Sequence, residues 1–273
     1  MTVATLNKPK PAWAVILFMV GVHIGALFAF LPSNFSWSAV GLALFLHWVT
    51  GCLGVTLGWH RLITHRSFQT PKWLEYFFLF CGSLSCQSGP LEWIGLHRHH
   101  HLYSDQHVDH HDSGKGFWWS HMGWMFYEIE NREDIVKRFT KDISSDPVYQ
   151  FFENYFLAVQ VGLAIVLYML GGWSFVVWGI FVRLVAVYHC TWLVNSATHK
   201  FGYRSHETTD RSTNCWWVAI LAYGEGWHNN HHAYQYSARH GLQWWEIDVT
   251  WMIISLLKTL GLATKVKLVG DEG

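Results

Sequence analysis

The sequence predicts an all-α integral membrane protein, with four transmembrane helices in two hairpins and a cytoplasmic helical cap. Three observations predict it. Charged residues make up 14% of the 273 residues and aromatic residues 17%, where a soluble domain carries about 25% charge. Apolar runs long enough to cross a bilayer come in two pairs. Nineteen histidines lie mostly outside those runs, in spaced clusters.

A helix rises about 1.5 Å per residue, so about 20 apolar residues cross the ~30 Å hydrocarbon layer. The first pair of runs, 11–30 and 38–59, contains no charge, and its connection LPSNFSW allows only a tight hairpin. The first run is too long for a signal-peptide core and has no small-residue cleavage site, so it reads as a retained span. The second pair, 155–170 and 173–195, turns at Gly171-Gly172 and carries one charge, Arg183. The run 73–91 is also apolar, but Glu75, the polar stretch 85–89 and Pro90 mark it as an interfacial or half-buried helix. If it crossed the bilayer, the histidines before and after it would lie on opposite faces. The tail 244–263 has roughly helical spacing and reads as a second interfacial helix.

Both hairpin loops lack Lys and Arg, and every basic residue except Arg183 lies in the N-tail, the middle region or the C-terminal third. The positive-inside rule puts both termini and the middle region in the cytoplasm. Residues 1–273 thus form one domain with a cap built from 60–154 and 196–273. Nineteen basic residues balance nineteen acidic ones, leaving no field to attract nucleic acid. Five cysteines with no CxxC spacing point to reduced thiols.

HRLITH, from His60 to His65, follows the second run directly. Five positions turn two side chains by about 140° on a continuous α-helix, so the helix is expected to fray there into a loop. In HRHHH, His97, His100 and His101 stand at i, i+3 and i+4, the spacing of one helix face, whereas His99 points away. HNNHH repeats the arrangement with His228, His231 and His232. His199 follows the fourth run, with Asn195 one turn before it. Nine imidazoles exceed the four ligands that zinc takes. Two six-coordinate ions fit better, and imidazole suits iron and the chemistry of dioxygen. Glu92, Asp109, Asp210 and Glu225 are candidate acceptors for the free ring N–H groups. His23, His47 and His189 lie within spans and read as hydrogen-bonded core residues, with bis-histidine haem binding as the alternative. His107, His110, His111, His121, His206 and His240 read as structural or as supports behind the ligands.

HRLITH, HRHHH and HNNHH, with LEW, GFWWSHMGW, TWLVNSATH and GEGWHNNHH around them, resemble the membrane-bound stearoyl-type delta-9 acyl desaturases over 51–236. The resemblance implies a di-iron site held by His60, His65, His97, His100, His101, His199, His228, His231 and His232, with Asn195 reaching one iron through water. It also implies a bent acyl tunnel whose kink is lined by Gln87, Trp93, Thr191 and Trp192. Leu44 and Trp48 are candidate floors of that tunnel. Acyl-CoA members carry a basic-acidic pair where this chain has Gly95-Leu96. The sequence is therefore more similar to the acyl-lipid desaturases of photosynthetic bacteria, which act on chains esterified to glycerolipid in plasma or thylakoid membranes. A separate donor is implied, ferredoxin or alternatively a cytochrome-b-type protein. His110 stands where relatives have Pro, which bears on the roles of Asp109 and His111. The implied reaction uses O2 and two electrons to place a cis double bond at the delta-9 position, with no Ser, Cys or Asp nucleophile. Acyl-CoA desaturation, hydroxylation by the same type of site and, more distantly, metal transport are the alternatives.

Overall fold

The computed structural model describes residues 10–270; the expected sidedness of the two chain ends falls partly on residues outside that range. Among the described residues the architecture is helical, with isolated β-bridges only. Three helices are long and apolar enough to cross a membrane: Trp13–Phe30, Trp37–Thr64 and Pro147–His199. The first contains α1 (Trp13–Leu27) and the second is α2 (Trp37–Thr64), whose start is capped by Ser36 Oγ accepting from Ala39 N at 3.2 Å.

The third is a hairpin rather than a rod. It contains α7 (Pro147–Val176) and α8 (Arg183–Ser196), and the backbone leaves helical geometry at Gly171 and at Gly172, whose φ is +63°. That left-handed value is cheap only for glycine. Leu167 packs directly against Gly179, although a straight helix would hold positions 12 apart separated by about 18 Å. Trp178 Nε1 donates to the Asn34 carbonyl at 3.0 Å, which ties the two hairpin ends together. The run begins at Pro147, earlier than the expected 155, because Asp146 Oδ1 accepts from Val148 N and opens the helix.

The expectation of a frayed end at His60 is corrected. From Trp48 to Thr64 the helix has the wide, i→i+5 bonded turns of a π-helix. His65 N donates to His60 O at 3.1 Å. In such a helix residue i+5 stacks where i+4 would in an α-helix. The ring centroids of His60 and His65 lie 4.7 Å apart, so a spacing awkward for an α-helix is natural here.

Helix α3 (Lys72–Ser83) lies along α2, with Trp59 Nε1 donating to Leu79 O at 3.2 Å. It buries Leu74, Phe78 and Leu79 and exposes Trp73, Phe77 and Phe80, the half-buried helix that the sequence predicts. After an irregular turn, α4 (Pro90–Tyr103) packs on the same α2 surface, where Trp93 meets Trp59 at 5.7 Å. Because α3 and α4 form a hairpin on one helix, the first two histidine clusters share a side. Four further short helices follow, α5 (Phe117–His121), α6 (Arg132–Phe139), α9 (Trp216–Leu221) and α10 (His228–Ala233). The helix expected in the tail is α11 (Val249–Thr259), docked on α2 through Thr250 Oγ1 and Thr56 Oγ1 at 2.7 Å. It turns Ile254 inward and Met252, Leu256 and Leu260 outward.

Arg183, the single charge in the last apolar run, is buried yet donates to Gly179 O at 2.9 Å, to Thr50 Oγ1 at 3.2 Å and to Leu84 O. Its Nε and one terminal nitrogen are thus satisfied, which eases the cost of a buried cation, while the other terminal nitrogen has no partner among the described residues.

Candidate metal centre

The nine candidate imidazoles gather into two nests. His60, His65, His97, His101 and His231 bring one nitrogen each within 4.8 Å of one another, and so do His100, His199, His228 and His232. The expectation that the i, i+3, i+4 triplets each converge on one point is corrected. Consecutive helix residues are about 100° apart, so neighbours such as His100 and His101 straddle the face. Helix α4 sends its i, i+4 pair to the five-histidine nest and its i+3 residue to the other. Helix α10 does the reverse, sending His228 and His232 to the four-histidine nest and His231 to the five-histidine nest.

The nitrogens face one another edge to edge. The Nε2 atoms of His60 and His231 are 3.1 Å apart, those of His231 and His101 3.1 Å, and those of His101 and His97 3.0 Å. In the second nest His199 and His228 meet at 3.1 Å. An imidazole nitrogen is a donor or an acceptor, never both, so hydrogen bonds alone cannot close such a group. His65 Nε2 and His232 Nε2 are buried with no partner at all. Cis ligands of an octahedral ion with metal–nitrogen bonds of about 2.1 Å stand about 3.0 Å apart. The donor set therefore fits a transition-metal ion in each nest.

Carboxylates fix which nitrogen faces inward. His60 Nδ1 meets Glu225 at 2.8 Å, His100 Nδ1 meets Asp109 at 2.9 Å, His199 Nδ1 meets Asp105 at 2.8 Å and His232 Nδ1 meets Asp210 at 2.6 Å. Each acid holds the ring proton on Nδ1 and leaves the Nε2 lone pair free. Burial, and then the neighbouring imidazoles, holds His65, His97, His101, His228 and His231 well below the ordinary histidine range. His232 is pushed down to about 4 in the same way, against the pull of Asp210. Burial opposes ionisation of Asp105, Asp109, Asp210 and Glu225, but their imidazole and hydrogen-bond partners outweigh it and keep these carboxyls below the usual range.

Of the four acids expected behind the ligands, Asp109, Asp210 and Glu225 are in place. Glu92 is not: it pairs with Arg132 at 3.3 Å. Asp105 does the work instead, and the sequence signal for it is an acid four residues beyond His101, where α4 has just ended. Two further imidazoles stand behind the nests. His240 stacks on His231 at 4.3 Å and shares Glu225, at 3.2 Å. His111 stacks on His100 at 4.0 Å beside Asp109. Arg61 locks Glu225 from behind, its Nε donating at 3.0 Å and its terminal nitrogen reaching Asp248 at 2.9 Å. His99 faces away toward Tyr103 and Phe139.

A cavity of about 980 Å³ reaches His60, His97 and His228 and is lined by all four tunnel candidates and by Asn195. Gln87 Nε2 donates to Thr191 Oγ1 at 3.1 Å. Trp93 stacks on His97 at 4.9 Å, and Trp192 is buried against Tyr188. At its far side the cavity reaches the exposed stretch 127–134. The expected floors do not hold: Leu44 is 68% exposed and Trp48 packs into another cluster, so His47, Gly51 and Val55 form the α2 wall. His47 bonds Tyr223 OH at 2.6 Å. His23 and His189 touch edge to edge at 3.3 Å, and His189 meets His121 at 3.0 Å, as hydrogen-bonded core residues would.

The sequence model for fatty acid desaturases matches residues 35–254. The chain belongs to the fatty acid desaturase family. It is 68% identical to the sn-1 stearoyl-lipid 9-desaturase of Anabaena variabilis, over 98% of each chain. It is 63% identical to the enzyme of the same description from Synechocystis, over 98% of this chain and 85% of that one. Identity to an sn-2 palmitoyl-lipid 9-desaturase of Nostoc is 49%, over 95% of this chain and 92% of the relative. Both nests lie inside the family match, as does the cavity wall apart from its residues between 12 and 19. This desaturase therefore carries its clustered histidines where oxidation of a buried apolar chain is possible.

Proposed function

We propose that the chain is an acyl-lipid 9-desaturase, acting on a stearoyl chain at the sn-1 position of a glycerolipid. The observation that carries the proposal is the pair of histidine nests opening onto one large, mostly apolar cavity. The two relatives with the higher identities are named for that substrate. The balanced reaction is R–CH2–CH2–R′ + O2 + 2 e⁻ + 2 H⁺ → R–CH=CH–R′ + 2 H2O, with the electrons coming one at a time from ferredoxin.

In this reading the nine histidines hold two irons, and Asn195 reaches the four-histidine nest through water. The irons supply the oxidant for an unactivated C–H bond, which no side chain can supply. The residues of the chain do the rest. Trp93 and Trp192 pack around the acyl chain and exclude water. The Gln87–Thr191 pair bridges the two walls and fixes the bend, which selects one pair of carbons. Glu225, Asp105, Asp109 and Asp210 hold the imidazole protons on Nδ1. Gly95 has no Cβ, and one placed there would stand 3.0 Å from Val136 Cα. Helix α6 thus closes directly over the position where a nucleotide-bearing substrate would need anchors, which favours a lipid.

Four spans in two hairpins, with the cap and both chain ends in the cytoplasm, accommodate this chemistry. The nests lie at the ends of α2 and α8 rather than midway along them, unlike the midplane sites of transporters. The test is expression in a host lacking its own delta-9 unsaturation, followed by separation of lipid classes and location of the double bond. A delta-9 monoene at sn-1 supports the reading. A hydroxylated chain, or unsaturation confined to acyl-CoA, sinks it.

A further inference from the structure

We propose that reducing equivalents enter through a basic surface directly behind the five-histidine nest, and that this surface docks an electron carrier with an acidic face. The inference rests on the reading above that the donor is a separate protein.

A shallow depression is walled by Arg66, Arg98, Arg138 and Lys141, with Asp142 as its one carboxylate and Thr64 at its base. Asp142 is already committed: Arg98 donates to it at 2.7 Å, and Arg66 pairs with it as well. In a chain of net charge zero, four cations against one carboxylate form a local excess. Near the four-histidine nest Arg211 pairs with Asp112 at 3.8 Å, and Arg204 donates to the Asp210 carbonyl and to Thr208 Oγ1.

Position and surroundings identify the occupant. Thr64 precedes His65, and Arg98 follows His97, so two members of the five-histidine nest adjoin the depression in sequence. Arg98 joins the elements, donating to Ile63 O at 2.8 Å, Thr64 O at 3.1 Å and Phe139 O at 2.7 Å. A carrier seated there stands within one layer of side chains of the imidazoles. Between residues 128 and 150 no large apolar side chain is exposed, in contrast to Trp73 and Phe77 on α3 or Met252 and Leu256 on α11. The segment bearing Arg138 and Lys141 thus faces water rather than lipid, which favours a soluble acidic protein over anionic headgroups. Complementary charge of this kind raises the encounter rate and makes it salt-dependent. Each docked carrier is oxidised by one electron, so two successive visits supply the two electrons consumed with each O2.

The test uses the full iron-loaded protein in lipid nanodiscs, with a reduced acidic [2Fe–2S] ferredoxin varied in concentration. Arg138→Glu combined with Lys141→Glu is expected to raise the KM for ferredoxin at least tenfold, to change kcat less than twofold and to leave bound iron unchanged. The loss of salt dependence should accompany it, and a ferredoxin whose acidic face is reversed to lysine should recover most of the KM. Lys115→Glu combined with Lys200→Glu, outside the depression, should move KM less than twofold. An unchanged KM in the first pair, or an equal rise in both pairs, overturns the docking surface. Wild-type protein that turns over with no ferredoxin at any concentration overturns the donor reading itself, and the surface's role with it.

Discussion

The five-histidine nest and the four-histidine nest both draw on α4 and α10, with α2 completing the first and the segment after α8 the second, yet they are supported in different ways. The first has five imidazoles but one carboxylate, Glu225, bonded to His60 and backed by Arg61. The second has four imidazoles and three carboxylates, so that only His228 lacks an acid on its Nδ1. In the first, ligand number does the holding, and packing such as Trp93 on His97 orients the rings. In the second, on the proposed reading, ligand orientation does it, and Asn195 lines the same cavity as His228. One centre is thus suited to being kept full, the other to exchanging what it binds.

Removing a ligand should expose that difference most. We expect His228→Ala to lower desaturation by more than about 100-fold, beyond the ~10–100-fold typical of changes to outer partners. Bound iron should fall with it, because the nest keeps three imidazoles. His65→Ala leaves four in the other nest and should lose less iron. Metal analysis beside product yield checks both; a His228 variant with full iron and full unsaturation would contradict the assignment. Next in size come the acids. Glu225→Gln removes the single carboxylate of its nest and should cost about 100-fold in metal affinity, whereas Asp105→Asn, with two acids remaining, should cost about 10-fold. Chelator competition gives both numbers, and equal losses would erase the proposed distinction.

A smaller effect is expected behind the rings. His240→Ala and His111→Ala each remove an imidazole stacked on a candidate ligand, at about a fivefold cost in activity by the same reasoning. His240→Gln can still donate to Glu225 and should recover most of it. If it does not, stacking on His231 rather than the hydrogen bond is what matters, and the five-histidine nest depends on packing even more than its geometry implies.

Much of this was legible in the sequence, for physical reasons that differ by region. Lipid forces long apolar runs, so α1, α2 and the Gly171–Gly172 turn stand out in the letters. The histidine clusters stand out because convergent ligands need repeated spacing. The wide turns of α2 do not, since an i→i+5 helix leaves no compositional mark, and HRLITH was naturally expected to break rather than widen. Asp105 was hidden because its link to His199 spans 94 positions and depends on a loop after α4. Glu92 attracted attention by proximity in sequence to HRHHH, but it sits in the first turn of α4, where Arg132 is within reach. The division of each triplet between two nests needs three dimensions, because a helical wheel shows one face and not two targets straddling it.

The least severe change tests the open direction of the four-histidine nest. Asn195 lies one turn before His199 on α8 and lines the cavity beside His228. Its amide can orient a water without adding charge, so the position stays exchangeable. Asn195→Ala should leave iron content unchanged and lower kcat by about threefold to tenfold, the scale of losing a water-mediated contact of ~1 kcal/mol. Asn195→Asp should do something different. A carboxylate there can fill the open direction directly, slowing iron loss to a chelator while also slowing turnover. Higher metal retention together with lower kcat in that variant would mark the four-histidine nest as the exchangeable centre. Faster turnover with faster iron loss would instead place the exchangeable position at the five-histidine nest, and reverse the assignment of the two.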